Sequence, residues 1–222
     1  MWPEPFRDRF EAGRLLGPAV NERLRGRSDI VVLALPRGGV PVGYEVARAL
    51  GAPLDVFIVR KLGVPGHEEL AMGAIASGGV RVLKDDVLRH IPVPKQTIEA
   101  VAAREQMELV RRERSYRGSK PPLDVSGKTV VVVDDGLATG STMRAAVRAL
   151  RAMNAATIIV AVPVAAQETC EEFRAEVDDI VCLRTPEPFQ AVGLWYEDFT
   201  QTTDEEVHEL LSGGPQPKQA VR

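Results

Sequence analysis

The stretch Val130-Val131-Val132-Val133-Asp134-Asp135-Gly136-Leu137-Ala138-Thr139-Gly140-Ser141-Thr142-Met143 decides the fold. Consecutive valines suit a strand buried on both faces, as strands of parallel sheets are. The run ends in two adjacent carboxylates, and a loop of small and hydroxyl residues then leads into a helix. In an open parallel sheet, ligands bind beyond the carboxyl ends of the strands. A Gly/Ser/Thr loop that opens a helix offers free backbone N–H groups and the positive end of the helix dipole, which suits a phosphate. Asp134 and Asp135 would repel that phosphate, so sugar hydroxyls or a metal ion held through water are their natural partners. Acids and loop together point to a ribose 5-phosphate group. A buried strand followed by an Asp-Gly turn and a capped helix would use the same residue types. Adjacent acids at a sheet edge are, however, a poor choice for turn-making alone. Two other phosphate motifs fail: no Lys precedes Ser141 as a P-loop requires, and no Gly-x-Gly-x-x-Gly follows a strand.

Outward from this stretch, the chain alternates strands and helices. Residues 6–25 have broadly helical apolar spacing, with Gly17-Pro18 as an interruption. Asp29 to Leu35 reads as a buried strand, Pro36-Arg37-Gly38-Gly39 as a turn, and Val40 to Leu50 as a helix closed by Gly51. Leu54 to Val59 is a second strand, and Arg60 to Leu70 a Gly- and Pro-rich loop. Ala71 to Ser77 and Val80 to Leu83 form a hairpin, and Thr97 to Tyr116 a long helix capped by Thr97. The motif strand (129–133) and its helix (140–153) are followed by a strand at 156–162, a helix at 166–175, a strand at 179–183 and a short helix at 204–211. Residues 212–222 are expected to fray. This rhythm predicts an α/β fold: a mostly parallel central sheet with helices on both faces. A small hood, made of an insertion from about 60 to 122 and the C-terminal segment, completes a single domain over 1–222.

The 222 residues carry a net charge of −3, so no global basic field invites nucleic acid or an anionic membrane. Arg111, Arg112 and Arg114 are interleaved with Glu108 and Glu113, which reads as a solvated helix face. Cys170 and Cys182 lack metal-ligand spacing and are expected as buried thiols. No apolar run is long enough to span a bilayer and no signal-peptide pattern appears, so a cytoplasmic location is expected.

A second constellation stands at Leu35-Pro36-Arg37-Gly38-Gly39. The glycines permit close backbone approach, the following helix supplies N–H donors, and Arg37 can chelate phosphoryl oxygens. A third stands at Val59-Arg60-Lys61-Leu62-Gly63, where a strand ends in two cations.

The hydrophobic strand, the acidic pair and the Thr-Gly-Ser-Thr loop together resemble the phosphoribosyl diphosphate (PRPP) signature of type I phosphoribosyltransferases. The resemblance implies that Asp134 and Asp135 contact the ribose 2′ and 3′ hydroxyls. It implies that Ala138, Thr139, Gly140, Ser141 and Thr142 wrap the 5′-phosphate. Pro36, Arg37, Gly38 and Gly39 correspond to the diphosphate loop. Arg60 and Lys61 correspond to the base of a mobile catalytic lid, with Gly63, Pro65 and Gly66 as hinge and His67 and Glu68 entering on closure. A lid would keep water from an oxocarbenium-like transition state. Asp134, Asp135, Arg37 and Lys61 are then the catalytic set, and Mg²⁺ the cofactor, held by Asp134 and Asp135 through water and by Asp198. Family members are commonly dimers, so a homodimer is expected; PRPP and a small nitrogenous acceptor are the other partners, with no nucleic acid and no membrane.

Members that use 6-oxopurines carry an acid in the phosphate loop where this chain has Ala138, so a hypoxanthine or guanine acceptor is disfavoured. The Leu137–Met143 run and Val59-Arg60-Lys61-Leu62-Gly63 look more like adenine phosphoribosyltransferases. From Phe6-Arg7-Asp8-Arg9 to Phe189-Gln190-Ala191-Val192-Gly193 the chain resembles a bacterial group of predicted phosphoribosyltransferases whose acceptor is unassigned. Phe189 or Trp195 would stack the acceptor ring, although aromatics more often pack a core. Two other classes stay open: a regulatory protein that binds PRPP or a nucleotide without turnover, and an unrelated α/β phosphate-binding enzyme.

Overall fold

The computed structural model describes residues 4–122 and 124–213. In chain order the elements are α1 (Arg9–Arg23), β1 (Ile30–Ala34), α2 (Gly39–Leu50), β2 (Leu54–Val56), β3 (Val59–Val64), β4 (His67–Ala76), β5 (Val80–Leu83), α3 (Asp85–His90), α4 (Lys95–Arg117), β6 (Thr129–Val133), α5 (Ser141–Ala152), β7 (Thr157–Val164), α6 (Gln167–Phe173), β8 (Asp179–Arg184) and α7 (Asp204–Gly213).

The central sheet runs β2-β1-β6-β7-β8, and every neighbouring pair is parallel. From β1 the chain steps to β2 on one side, whereas β6 lies against the other side of β1. The strand order therefore reverses between β1 and β6, and a crevice opens beyond their carboxyl ends. Ala34 pairs with Val133, so the segments starting at Leu35 and Asp134 leave the sheet side by side. Leu35 N donates to Val133 O at 2.8 Å and fixes this alignment.

The valine run is buried on both faces, as expected for a central parallel strand. Val131 and Val133 pack with Leu16, Val20, Val42 and Val46 of α1 and α2. Val130 and Val132 pack with Met143, Val147 and Leu150 of α5 and with Phe173 of α6 on the opposite face. Helices thus cover both faces. Pro18 lies inside α1 rather than interrupting it. Gly13 and Gly17, one turn apart, let α1 sit hard against α2: a Cβ on Gly13 would stand 2.7 Å from Val42 O, and one on Gly17 2.6 Å from Ala49 Cβ.

The insertion is built on an antiparallel sheet of order β3-β4-β5. The expected loop at 60–70 is instead a paired hairpin, its turn at Pro65-Gly66, with register shifts between Leu62 and Val64. The expected strand at 54–59 breaks at Phe57-Ile58, where the chain leaves the parallel sheet for the antiparallel one. The long helix begins at Lys95 with Pro94 as cap residue, so Thr97 is not its cap. The short helix α3 was not expected from the sequence pattern. α4 and α7 share an apolar cluster with the hood sheet that includes Leu62, Met72, Leu109, Tyr116 and Val207, so the C-terminal helix joins the hood. Cys170 and Cys182, expected as separate thiols, form a disulfide, because α6 lies along β8 with the two Cα atoms 6.9 Å apart. Ser212 and Gly213 belong to α7; the rest of the expected tail lies outside the described residues.

Candidate active site

The switch point gathers the first two sequence constellations. Gly38 and Gly39 pass so close to the acidic pair that no side chain fits. A Cβ on Gly38 would stand 2.1 Å from Asp135 Oδ2, and one on Gly39 2.7 Å from Val133 O and 2.9 Å from Asp134 Cα. The Pro36–Arg37 peptide of this loop is cis.

Asp134 Oδ1 accepts the Asp135 backbone N–H at 2.9 Å. Arg9, the first residue of α1, donates from Nε to Asp135 Oδ2 at 2.8 Å, and both side chains are largely buried. Tyr196 donates its hydroxyl to Asp135 O at 2.6 Å. Burial, and then the neighbouring Asp135 charge, pushes the Asp134 carboxyl well above the usual carboxylate range. Burial also raises Asp135, but the Arg9 guanidinium opposes it. Burial chiefly, and then Asp135, raises the Tyr196 phenol, which remains a neutral donor.

The loop of residues 138–142 is shaped from behind. Gly140 adopts a left-handed conformation (φ 68°) and caps α5 with no side-chain hydrogen bond. A Cβ there would meet Phe173 at 2.5 Å. Thr169 of α6 donates to Ala138 O at 2.7 Å, and Arg144 Nη1 to Thr139 O at 2.6 Å. Arg144 is itself held by Glu172 and Glu176 and lies over the Phe173 ring. Ala138, Thr139, Ser141 and Thr142 are exposed around the buried Gly140.

The third constellation divides. Arg60 makes a forked ion pair to Glu105 Oε2 on α4, with Nε at 3.0 Å and Nη2 at 2.6 Å. Lys61 faces the other way, into a cavity of about 240 Å³ whose lining includes Ser141, Thr142, Arg144 and Arg148 of α5. Its ammonium is 3.7 Å from Glu69. Glu68 folds back onto its own backbone N–H and accepts Gly66 N at 3.1 Å, and these bonds, its own backbone's first, hold its carboxyl below the ordinary range. His67 and Glu68 are exposed at the hairpin tip. Arg37 lies 3.4 Å from Asp204 of α7, which also accepts the Tyr116 hydroxyl at 3.1 Å.

Trp195 packs in a core cluster with Phe6, Ala12, Val164 and Tyr196, so its ring is a buried wall rather than a stacking surface. Phe189 is half-buried at the edge of that cluster. Asp198 is exposed and accepts Thr200 N at 2.9 Å. Among the described residues no three acids, histidines or cysteines gather as a metal cluster. Sequence reasoning did not single out Arg9, Tyr196, Thr169 or Arg144. The Asp8-x-x-Glu11 pattern could have located the start of α1, since Asp8 Oδ1 accepts Glu11 N at 2.7 Å.

A crevice at a strand-order reversal, with acids on one strand end and a glycine loop on the other, makes this an open parallel α/β protein with its candidate ligand site beyond the strands' carboxyl ends. The phosphoribosyl transferase domain family matches residues 10–197, and the chain belongs to that family. It is 47% identical over 206 residues to a Mycobacterium tuberculosis protein provisionally named a phosphoribosyl transferase, covering 93% of this chain and 46% of that one. The chain thus spans about half the length of the mycobacterial relatives it matches. It is 44% identical to the solved structure of TT1426 from Thermus thermophilus, with a TM-score of 0.83 over 93% of this chain and 97% of that one. A bifunctional protein PyrR from Chloroflexus aurantiacus is 32% identical over 116 residues, 51% of this chain and 58% of that one. No helix among the described residues is long and apolar enough to cross a membrane.

Proposed function

We propose that the chain is a Mg²⁺-dependent phosphoribosyltransferase that moves ribose 5-phosphate from PRPP to a nitrogenous acceptor and releases diphosphate. One observation carries this reading: the Arg37-Gly38-Gly39 loop lies in contact with Asp134 and Asp135 at the switch point. Leaving group and ribose would meet there. The bond from ribose C1 to diphosphate breaks and a bond to the acceptor nitrogen forms. Positioning and charge stabilisation do most of the work. Asp134 and Asp135 hold the ribose hydroxyls, and the first turn of α5 holds the 5′-phosphate. Lys61 reaches the phosphates across its cavity. Arg37 joins the diphosphate by exchanging its contact with Asp204.

The carboxylates of Asp134 and Asp135 are hard oxygen donors that suit Mg²⁺ through water, and Asp198 is a further oxygen donor at the surface. With no three-acid cluster among the described residues, most ligands would be water and substrate oxygens. When bound, the ion neutralises charge on the departing diphosphate. Ala138 offers no acid to a 6-oxopurine, which disfavours that acceptor and favours another purine or other base, with the half-buried Phe189 as its stacking candidate.

The test is diphosphate release from PRPP and Mg²⁺ across a panel of bases, with Asp134→Asn/Asp135→Asn as control. Release with at least one base, lost in the variant, is expected. No PRPP binding would sink the proposal. Tight PRPP binding without turnover on any base would support the second reading, a PRPP-binding regulator. That reading has one observation in its favour: Arg60 and Arg37 already face carboxylates of their own chain.

A further inference from the structure

Arg9 is 126 positions from Asp135 in the chain, yet it meets the motif at its centre. Its guanidinium does two things at once. Nε donates to Asp135 Oδ2 at 2.8 Å, and Nη1 donates to Thr200 O at 2.8 Å. Its carbon lies 3.9 Å from the centre of the Phe199 ring and 5.8 Å from that of Tyr196. The two rings are 5.2 Å apart, and the Tyr196 hydroxyl returns to Asp135 O at 2.6 Å. Asp135 is thus gripped twice, at its carboxylate and its carbonyl, by one cluster. The adjoining segment is equally close: a Cβ on Gly136 would stand 2.6 Å from Val192 Cγ1, and one on Gly193 2.8 Å from the Phe199 ring.

We propose that Arg9 is a positioning residue that locks the ribose-binding carboxylate of Asp135 to the C-terminal 192–200 segment, so that donor and acceptor sides of the site move as one unit. The donor and acceptor roles rest on the phosphoribosyltransferase reading above; the mechanical link does not. Only a planar fork fits this task. Arginine can send two N–H groups to two acceptors while its face rests on an aromatic ring, whereas a lysine ammonium is a point charge on a flexible stem. Arg9 brings a positive charge to Asp135 and Tyr196 a neutral donor.

Arg9→Met and Arg9→Lys separate the two duties. In Arg9→Met, loss of a charge-assisted hydrogen bond should weaken PRPP binding by about tenfold or more and raise the acceptor KM with it. Arg9→Lys should recover most of the PRPP affinity through its charge but leave the acceptor KM raised, because the bond to Thr200 and the stacking on Phe199 are lost. An Arg9/Phe199 double-mutant cycle should be non-additive. Amide hydrogen exchange on the free protein provides a readout that needs no ligand: in Arg9→Met, residues 134–136 and 196–200 should lose protection together. Loss confined to 196–200 overturns the proposal. So does wild-type PRPP affinity and acceptor KM in Arg9→Met. If the wild-type protein binds no PRPP, the functional reading fails and the exchange experiment still decides the link. Should Arg9→Met not fold, Arg9→Gln, which lacks both the charge and the fork, carries the same exchange test.

Discussion

Replacing Gly38 by alanine adds one methyl group at the contact between the two halves of the site. The backbone there is right-handed helical (φ −59°, ψ −34°), which alanine adopts freely. The backbone exchange alone would stabilise the protein by about 0.4–1 kcal/mol. Sterics act in the opposite direction. The new Cβ would lie 2.1 Å from Asp135 Oδ2 and 2.7 Å from its Cγ, whereas real contacts essentially never fall below 3.0 Å, so the carboxylate must retreat by about 0.9 Å. It sits 2.8 Å from Arg9 Nε, and Arg9 is itself 3.3 Å from the same Cβ, so this ion pair takes the displacement. A lost charge-assisted hydrogen bond is worth about 1.5–3 kcal/mol. Subtracting the backbone gain leaves a net loss of about 0.5–2.5 kcal/mol, or a Tm lower by about 1–10 °C at this chain length. Differential scanning calorimetry and PRPP titration calorimetry read the two consequences. Gly17→Ala is the control: its clash with Ala49 at 2.6 Å lies between α1 and α2, so it should lower Tm and leave PRPP affinity intact. A Gly38→Ala protein with wild-type Tm and wild-type PRPP affinity would refute the close contact on which the site is built.

Arg60→Met and Lys61→Ala should separate although they are neighbours. The former leaves the largely buried Glu105 without its fork and should cost about 1–3 kcal/mol by urea unfolding; the latter breaks only an exposed contact to Glu69, so Tm should hold while diphosphate release falls. Arg117→Met removes the ion pairs of Arg117 on α4 with Asp55 on β2 and with Glu113, where Arg117 lies 2.7 Å from Asp55 with both side chains buried, and should cost about 3–5 kcal/mol; a loss under 1 kcal/mol would contradict that geometry. Reducing Cys170–Cys182, which are 12 positions apart, should cost about 3 kcal/mol from the loop it closes, seen as a lower Tm in dithiothreitol and absent in Cys182→Ser. Asp178 accepts Ile158 N and pairs with Arg151, which outweighs its burial and lowers its folded pKa. Its contribution is therefore present above the unfolded value and lost as pH falls through the folded one, so Asp178→Asn should flatten the acid limb of the stability curve.

The parallel sheet was legible because its strands are short apolar runs, each followed by a turn signal, and burial on both faces leaves little else for such runs to be. β1, β6 and β8 fall within a residue or so of their expected bounds. The hairpin of β3 and β4 was not legible. Its outer half carries Pro65, Gly66, His67, Glu68 and Glu69, mostly exposed, so no buried face imposes alternation there. Gly63 reads as a hinge but serves a close crossing: its Cβ would stand 2.8 Å from Glu68 O. The motif residues of the site were legible because they are contiguous. Arg9 and Thr169 were not, since each acts on the site from another element and leaves no periodic trace; Arg144, one residue past the motif on α5, shows its part only through its contacts with Thr139 O, Glu172 and Glu176. The disulfide was missed for the same reason, as only the packing of α6 on β8 brings the cysteines together.

The split between Arg60 and Lys61 follows from strand geometry. Successive side chains on a strand point to opposite faces. Arg60 and Leu62 turn towards α4, where Glu105 takes the guanidinium and Leu62 is fully buried in the hood cluster. Lys61, between them, must turn the other way, towards the first turns of α5. Its backbone is held opposite Ala74 in the antiparallel ladder, and its side chain reaches the cavity from there. The bulge that follows, between Leu62 and Val64, shifts the register only beyond this point. A one-residue slip in β3 would exchange the two cations, burying an ammonium against Glu105 and sending the guanidinium towards α5. The buried Leu62 and Met72 oppose that slip, so the hydrophobic core of the hood also decides which cation faces the cavity beside α5.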